Sequence, residues 1–259
     1  MEKTQSPDKE KQRKSTFFLD IEKKCIFAAN MNERHRKKRL TAWRYLLALP
    51  RSVIVNLRLL PWRQAWHLPL LVSHRTVIDN LSGRVELNCD NLRIGLVKIG
   101  FGTYQGTDFR RDRTHLNLRG TLTIKGECTF GAGCSVEVAE GARLTVGPLF
   151  NFGPLSLLIC HKAMTFGAND LISWCCTLMD TDQHPLIDAE GRRVNPDREI
   201  HFGDNVWMGC HVIVSKGTSL PDETTVSAGA RLSGRYEETQ TVLAGNPAIV
   251  VRRGIKREL

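Results

Sequence analysis

Several features are missing from this sequence, and each absence narrows the field. Its eight cysteines include no Cys-x-x-Cys pair, so the spacing that usually marks a metal or redox site is missing. The adjacent Cys175-Cys176 is a poor basis for a disulfide or a metal. Several cysteines instead stand where a repeat takes a small apolar residue, which fits a reducing compartment. The first sixteen residues are polar, so no secretory signal is expected there and the expected location is cytoplasmic. No long uninterrupted apolar run occurs. The stretch from Thr41 to Leu71 is broken by Arg44, Pro50, Arg51, Arg58, Pro61 and Arg63, short of the ~20 apolar residues a spanning helix requires. With 41% hydrophobic and 25% charged residues, the composition excludes bulk disorder, collagen and a membrane bundle. A chain of 259 residues can bury one sizeable core, with room for a smaller extension.

The charge is present but uneven. Residues 1–63 hold sixteen Lys or Arg against six Asp or Glu, and the remainder is balanced at twenty-one of each. The formal net charge of +10 therefore belongs to the first quarter, and it is densest at Arg34-His35-Arg36-Lys37-Lys38-Arg39. Such a run either meets an anionic surface or is a solvated basic arm. Trp43, Tyr45, Trp62 and Trp66 stand beside basic residues. The segment that carries them either lies flat at a membrane interface or packs over the first turn of the main domain. The chain is accordingly divided at residue 80, into a basic extension (1–80), expected to be partly helical and partly disordered and to be either membrane-peripheral or packed on the main domain, and a main domain (81–259).

The main domain is organised by a period of six. Phe202, Met208, Val214, Leu220, Val226 and Leu232 recur at strict spacing, each followed in most cases by a small or turn-forming residue. Upstream the same period runs in threes: Ile124, Phe130, Val136; Val146, Phe152, Leu158; Phe166, Ile172, Leu178. Neither a helix nor a simple alternating strand has this period. Each hexad reads as a short strand and a turn, and three hexads make one triangular coil. Its apolar residues stack on those of the next coil, so no coil is stable alone. The predicted fold is an all-β solenoid, and the period does not set its handedness.

Three segments resemble one family. Phe202-Gly203-Asp204-Asn205-Val206-Trp207-Met208-Gly209, Ala244-Gly245-Asn246-Pro247-Ala248 and Asp180-Thr181-Asp182-Gln183-His184-Pro185 look like the hexapeptide-repeat acyltransferases. That superfamily includes maltose and galactoside acetyltransferases and polysaccharide-modifying members. The likeness covers roughly residues 85–254. It implies a left-handed parallel β-helix, a homotrimer and acetyl-CoA as co-substrate. It also implies that His184 is the general base, in a loop that breaks the repeat before Phe202. Asp180 or Asp182 would orient its ring, or both would solvate the corner. By position, the coenzyme would run past Trp207, Gly209, Cys210, Ser227, Ala228 and Gly229, with Asn246-Pro247 bordering it. Lys216, Arg231, Arg252 and Arg253 are candidates for its phosphates or for solvated surface roles. Leu232-Ser233-Gly234-Arg235 departs from the family's usual "VVTKD" pattern and leaves that end of the slot undefined.

A base fits the chemistry, because a sugar hydroxyl is a weak nucleophile toward a thioester. No covalent nucleophile is needed, and Cys210 reads as a packing residue. The favoured function is acetyl transfer to a sugar hydroxyl in surface polysaccharide or lipopolysaccharide biosynthesis, on a carbohydrate acceptor that is free or lipid-linked. No nucleic acid partner is expected. The alternatives are a carbonic-anhydrase-like metal enzyme using His161, His201 and His211, or a silent scaffold. The family's HxxxxH metal spacing is absent, so no metal is expected. Acceptor loops are expected around 104–115 and 185–200.

Overall fold

The structure is a computed structural model that describes residues 43–102, 107–108 and 111–258. The basic run at residues 34–39 and part of the first expected acceptor loop lie outside the described residues. Residues 1–47 and 48–259 form separate compact units. Of the first unit, residues 43–47 are described; they are helical, and Trp43, Leu46 and Leu47 are exposed.

The second unit opens with two helices, α1 (48–59) and α2 (Trp62–Ala65), before the solenoid begins. Its first coil is β1 (Leu70–Val72), β2 (Val77–Asn80) and β3 (Arg84–Leu87). The second is β4 (Val97–Ile99), β5 (His115–Leu118) and β6 (Thr121–Ile124), and the third β7 (Cys128–Phe130), β8 (Ser135–Val138) and β9 (Arg143–Val146). The fourth is β10 (Phe150–Phe152), β11 (Leu157–Cys160) and β12 (Ala163–Phe166). The fifth, β13 (Leu171–Ile172), β14 (Thr177–Met179) and β15 (Ile200–Phe202), carries a long loop before its third side. Then come β16 (Trp207–Met208), β17 (Ile213–Val214) and β18 (Ser219–Leu220), followed by β19 (Thr225–Val226) and β20 (Arg231–Leu232). A closing hairpin, β21 (Thr241–Gly245) and β22 (Ala248–Arg253), ends the stack.

Through β20 every third strand pairs, in parallel, so the coils build three sheets. The first runs β1-β4-β7-β10-β13-β16-β19-β21-β22, the second β2-β5-β8-β11-β14-β17-β20 and the third β3-β6-β9-β12-β15-β18. The predicted hexad residues form the vertical columns of the core. Phe152 pairs with Ile172, Ile172 with Met208 and Met208 with Val226, and Leu158 stacks over Leu178, Val214 and Leu232. All are buried. An aromatic ladder thickens the middle coils: Phe150 to Phe166 is 4.9 Å between ring centroids and Phe166 to Phe202 is 5.1 Å.

The corners are as repetitive as the sides. Leu155, Cys175 and His211 all take positive φ at equivalent places, with Gly133 and Gly229 in the same column. Each donates its N–H to the coil before, as His211 does to Trp174 and Gly229 to Cys210. Glycine is forced where coils touch: a Cβ on Gly147 would lie 2.3 Å from the Gly167 carbonyl oxygen.

The solenoid starts earlier than the division at residue 80 anticipates, because β1 and β2 already pair with β4 and β5. What precedes it is a cap. The first strand of a parallel stack leaves a row of backbone groups open, and α1 supplies polar side chains to close it. Asn56 donates to the Leu70 carbonyl at 2.7 Å and accepts from the Leu70 N–H at 3.0 Å. Ser52 Oγ accepts from the Val72 N–H at 2.9 Å. Both polar side chains are fully buried. At the other end, antiparallel β22 covers β21.

Candidate active site

After β14 the coils are interrupted by a long loop between sides. Residues 180–199 leave the wall at the corner between the second and third sheets, and their tip folds back through an Ile187–Arg193 antiparallel bridge. This loop carries His184, which is exposed. Its base is anchored by Asp180, whose buried carboxylate accepts from the N–H groups of His161 at 2.7 Å and Lys162 at 2.8 Å. Burial pushes that carboxyl above its ordinary range, against the pull of the two N–H groups. Asp180 is therefore a fastening for the loop, with both oxygens turned into the wall.

Asp182 is held differently. It accepts from the Lys216 ammonium and, at 2.8 Å, from the Asn195 carboxamide. These hydrogen bonds, Lys216 first, lower its pKa. A depressed carboxyl keeps its contribution above the ordinary carboxylate range and loses it as pH falls below that range. The Asp182 contacts therefore persist through neutrality. Neither carboxylate hydrogen-bonds to the His184 imidazole, so the expected orienting role is not made within this chain. The two aspartates shape the loop on which the ring stands.

Asn195 is the residue that the sequence reading missed. It is buried, and its Nδ2 donates both to Asp182 and to the His184 carbonyl oxygen, the latter at 2.9 Å. Its Oδ1 accepts from the Leu186 N–H at 2.6 Å. Lys216 completes the tie through the Asn195 carbonyl oxygen at 3.0 Å. One carboxamide thus closes the loop around His184 and Pro185. Asn195→Ala is expected to leave the solenoid folded and cost about 1–3 kcal/mol through unpaired loop groups. Amide exchange should accelerate over residues 184–195, and turnover should fall at least tenfold.

Beside the loop, against the third sheet, lies a cavity of about 720 Å³. Lys162, Arg198, Glu199, His201, Ser219 and Arg235 line it. Lys162 pairs with Glu199 at 3.4 Å, and among the described residues Arg198 and Arg235 have no carboxylate partner. The cavity is therefore net cationic. Arg198 also ties it to the loop, donating its N–H to the Asp180 carbonyl at 3.0 Å.

No family profile matches the chain. A protein of Klebsiella pneumoniae, described as an uncharacterized 24.8 kDa protein in the cps region, is 24% identical over 201 residues, 78% of this chain and 86% of that one. The polysialic acid O-acetyltransferase of Neisseria meningitidis is 27% identical over 125 residues, 44% of this chain and about half, 55%, of the relative. Among solved structures, the polysialic-acid-specific acetyltransferase NeuO superposes with a TM-score of 0.52 at 19% identity, over 73% of this chain and 84% of that one. The chain resembles named O-acetyltransferases in sequence, and its solenoid has the left-handed parallel β-helix fold of its structural neighbours.

The residues expected along the coenzyme fall into separate places. Gly209, Cys210, Ser227, Ala228 and Gly229 do come together, at the corner between the first and second sheets. There Gly229 donates to the Cys210 carbonyl at 2.9 Å, and a Cβ on Gly209 would meet the Ala228 nitrogen at 2.6 Å. Trp207 stands next to them on β16, partly exposed. Asn246-Pro247 forms the turn of the closing hairpin through a cis bond. Arg231 is exposed on the second sheet and Arg252 on β22, while Arg253 is paired with Glu238 at 2.6 Å. Lys216 is at the His184 corner, committed to Asp182 rather than free for a phosphate.

The cysteines of the core are poor nucleophiles. Burial pushes the Cys134 thiol up to about 12 and the Cys176 thiol to about 11. All seven described cysteines are free. Among the described residues no three His, Cys, Asp or Glu side chains are grouped to hold a metal. His161 instead faces Glu137 at 3.3 Å, and His211 belongs to the corner opposite its supposed partners.

Proposed function

We propose that this chain transfers an acetyl group from acetyl-CoA to a hydroxyl of a sugar in surface-polysaccharide biosynthesis, with His184 as the general base. The observation that carries the reading is the fastened loop. It presents an exposed imidazole on a loop tied by Asn195, Asp182 and Lys216, and the same loop ends at Arg198 and Glu199 in the wall of a cationic cavity. The relatives support the class of acceptor: one acts on polysialic acid by name, and another is named for colanic acid biosynthesis.

The imidazole takes the proton from the sugar hydroxyl as its oxygen attacks the thioester carbonyl. Collapse of the tetrahedral intermediate breaks the carbon–sulfur bond, and the departing thiolate recovers the proton from the imidazolium. The cavity's Arg198 and Arg235 suit the coenzyme's phosphates or a carboxylate on the acceptor. The second half of the coenzyme path is the Gly209–Ala228 corner, where closely packed backbone offers groups to an amide-bearing arm. That corner and the His184 corner are different edges of one prism. A slot that uses both requires two copies side by side, consistent with a homotrimer. The exposed Leu186, Ile187 and Val194 on the loop tip suit such a contact. The enzyme would work in the cytoplasm, where acetyl-CoA is made available.

A panel of glycans tests this reading: polysialic acid, neutral galactosides, nucleotide-sugars and lipid-linked precursors, each with acetyl-CoA. The expected product is an ester, released by mild hydroxylamine. An amide product would move the reaction to an amino sugar, and no product with any glycan would remove the assignment.

A further inference from the structure

Helix α1 is inside out. A helix packed on a soluble domain normally turns its apolar stripe inward and its polar face to water. Here the inward positions are Ala48, Ser52, Val55, Asn56 and Leu59, and two of the five are polar because they cap the open edge of β1. The outward face is left with Leu49, Val53, Ile54 and Leu57, of which Ile54 is 62% and Leu57 59% exposed. Pro61 then starts α2, which holds Trp62 at 72% and is followed by Trp66 at 83% exposure. Val53, Leu57, Ala65, Trp66 and Leu68 line a shallow, wholly apolar groove of about 250 Å³.

The charges around this face have one sign. Between Glu33 and Asp79 the chain has no acidic residue and ten Lys or Arg. Arg58 is exposed on α1, and the Arg63 guanidinium lies 5.8 Å from the centre of the Trp62 ring. Among the described residues no helix is long and apolar enough to cross a membrane. Apolar side chains, two exposed tryptophans and unopposed cations on a short helical segment suit the boundary between headgroups and acyl chains. A protein partner would have to match an apolar face on a segment whose only charged side chains are cations. Lipid with anionic headgroups supplies both requirements at once.

We infer that α1 and α2 form an in-plane docking surface for an anionic lipid bilayer, with Ile54, Leu57, Trp62 and Trp66 inserted and Arg58 and Arg63 at the headgroups. The inference does not depend on the acyl-transfer reading. It attaches the first coil of the solenoid to the membrane by the very helix that closes that coil.

The test is cosedimentation of the full chain with vesicles of phosphatidylcholine, alone or with about a third phosphatidylglycerol, each cation contributing about fivefold. Wild-type protein should bind the anionic vesicles at least tenfold more tightly than the neutral ones, and the difference should shrink in high salt. Ile54→Asp/Leu57→Asp and, separately, Trp62→Ala/Trp66→Ala should each weaken binding at least tenfold, with unchanged circular dichroism and oligomeric state. Wild-type protein that ignores anionic vesicles would overturn the inference. So would both variants binding as well as wild type, which would place any lipid contact elsewhere in the chain. A change of oligomeric state in the Asp pair with lipid binding intact would also overturn it, and would assign the face to a second copy.

Discussion

His184→Ala should lower turnover by about 10²- to 10⁴-fold, the range of a positioned general base, and leave the melting temperature unchanged. Both halves follow from the geometry. The ring is exposed and makes no hydrogen bond among the described residues, so its removal breaks no packing there; surface substitutions of this kind stay within about 0.5 kcal/mol. The loop keeps its shape because its ties run through the His184 backbone, the Asn195 carboxamide, Asp182 and Lys216. Affinity for coenzyme A should also persist, since the corner at Gly209 and Ala228 is untouched. A variant that lost turnover together with stability would point to a structural role for the residue. Rate measurements at saturating acetyl-CoA, with thermal melts of the same preparations, separate the two.

Phe166→Ala should cost about 3–5 kcal/mol, the range for removing a buried phenyl ring from a well-packed core. Phe166 is buried between Phe150 and Phe202 at centroid separations of 4.9 and 5.1 Å. Coils contact only their neighbours, so a void there cannot be shared through a large core. The loss falls where β12 meets β15, directly after the His184 loop. Urea unfolding should show the lower midpoint, and hydrogen exchange should show the fourth and fifth coils opening first. A loss below about 1 kcal/mol would mean that the wall collapses onto the space.

The columns of the core were readable from the sequence because burial recurs every sixth residue, and a residue that fills the prism axis must be apolar each time. Phe202, Met208, Val214, Leu220, Val226 and Leu232 are all core residues for that reason. The loop that carries His184 was readable because it interrupts the same period, whereas the role proposed for His184 rests on the likeness of the Asp180–Pro185 segment. What escaped has no period. Asn195 acts over nine to thirteen residues through one carboxamide, a contact that leaves no mark on spacing. The cap was hidden for a related reason. Ser52 and Asn56 sit in an apolar stretch and look like its solvent side, yet an open strand edge draws polar groups inward. The first coil was placed too late because its sides hold short strands directly after a helix, before the strict repeat begins. The roles given to Asp180 and Asp182 turned on a few ångströms of loop path, which spacing along the chain does not specify.

The central claim is a transfer that consumes acetyl-CoA and acylates a glycan. Its most direct measurement is thiol released from acetyl-CoA by the full chain, counted against acetyl ester formed on the glycan in the same reaction. The account predicts equal amounts of the two, released only when an acceptor is present. Thiol release at the same rate without acceptor, or with no ester formed, would contradict it.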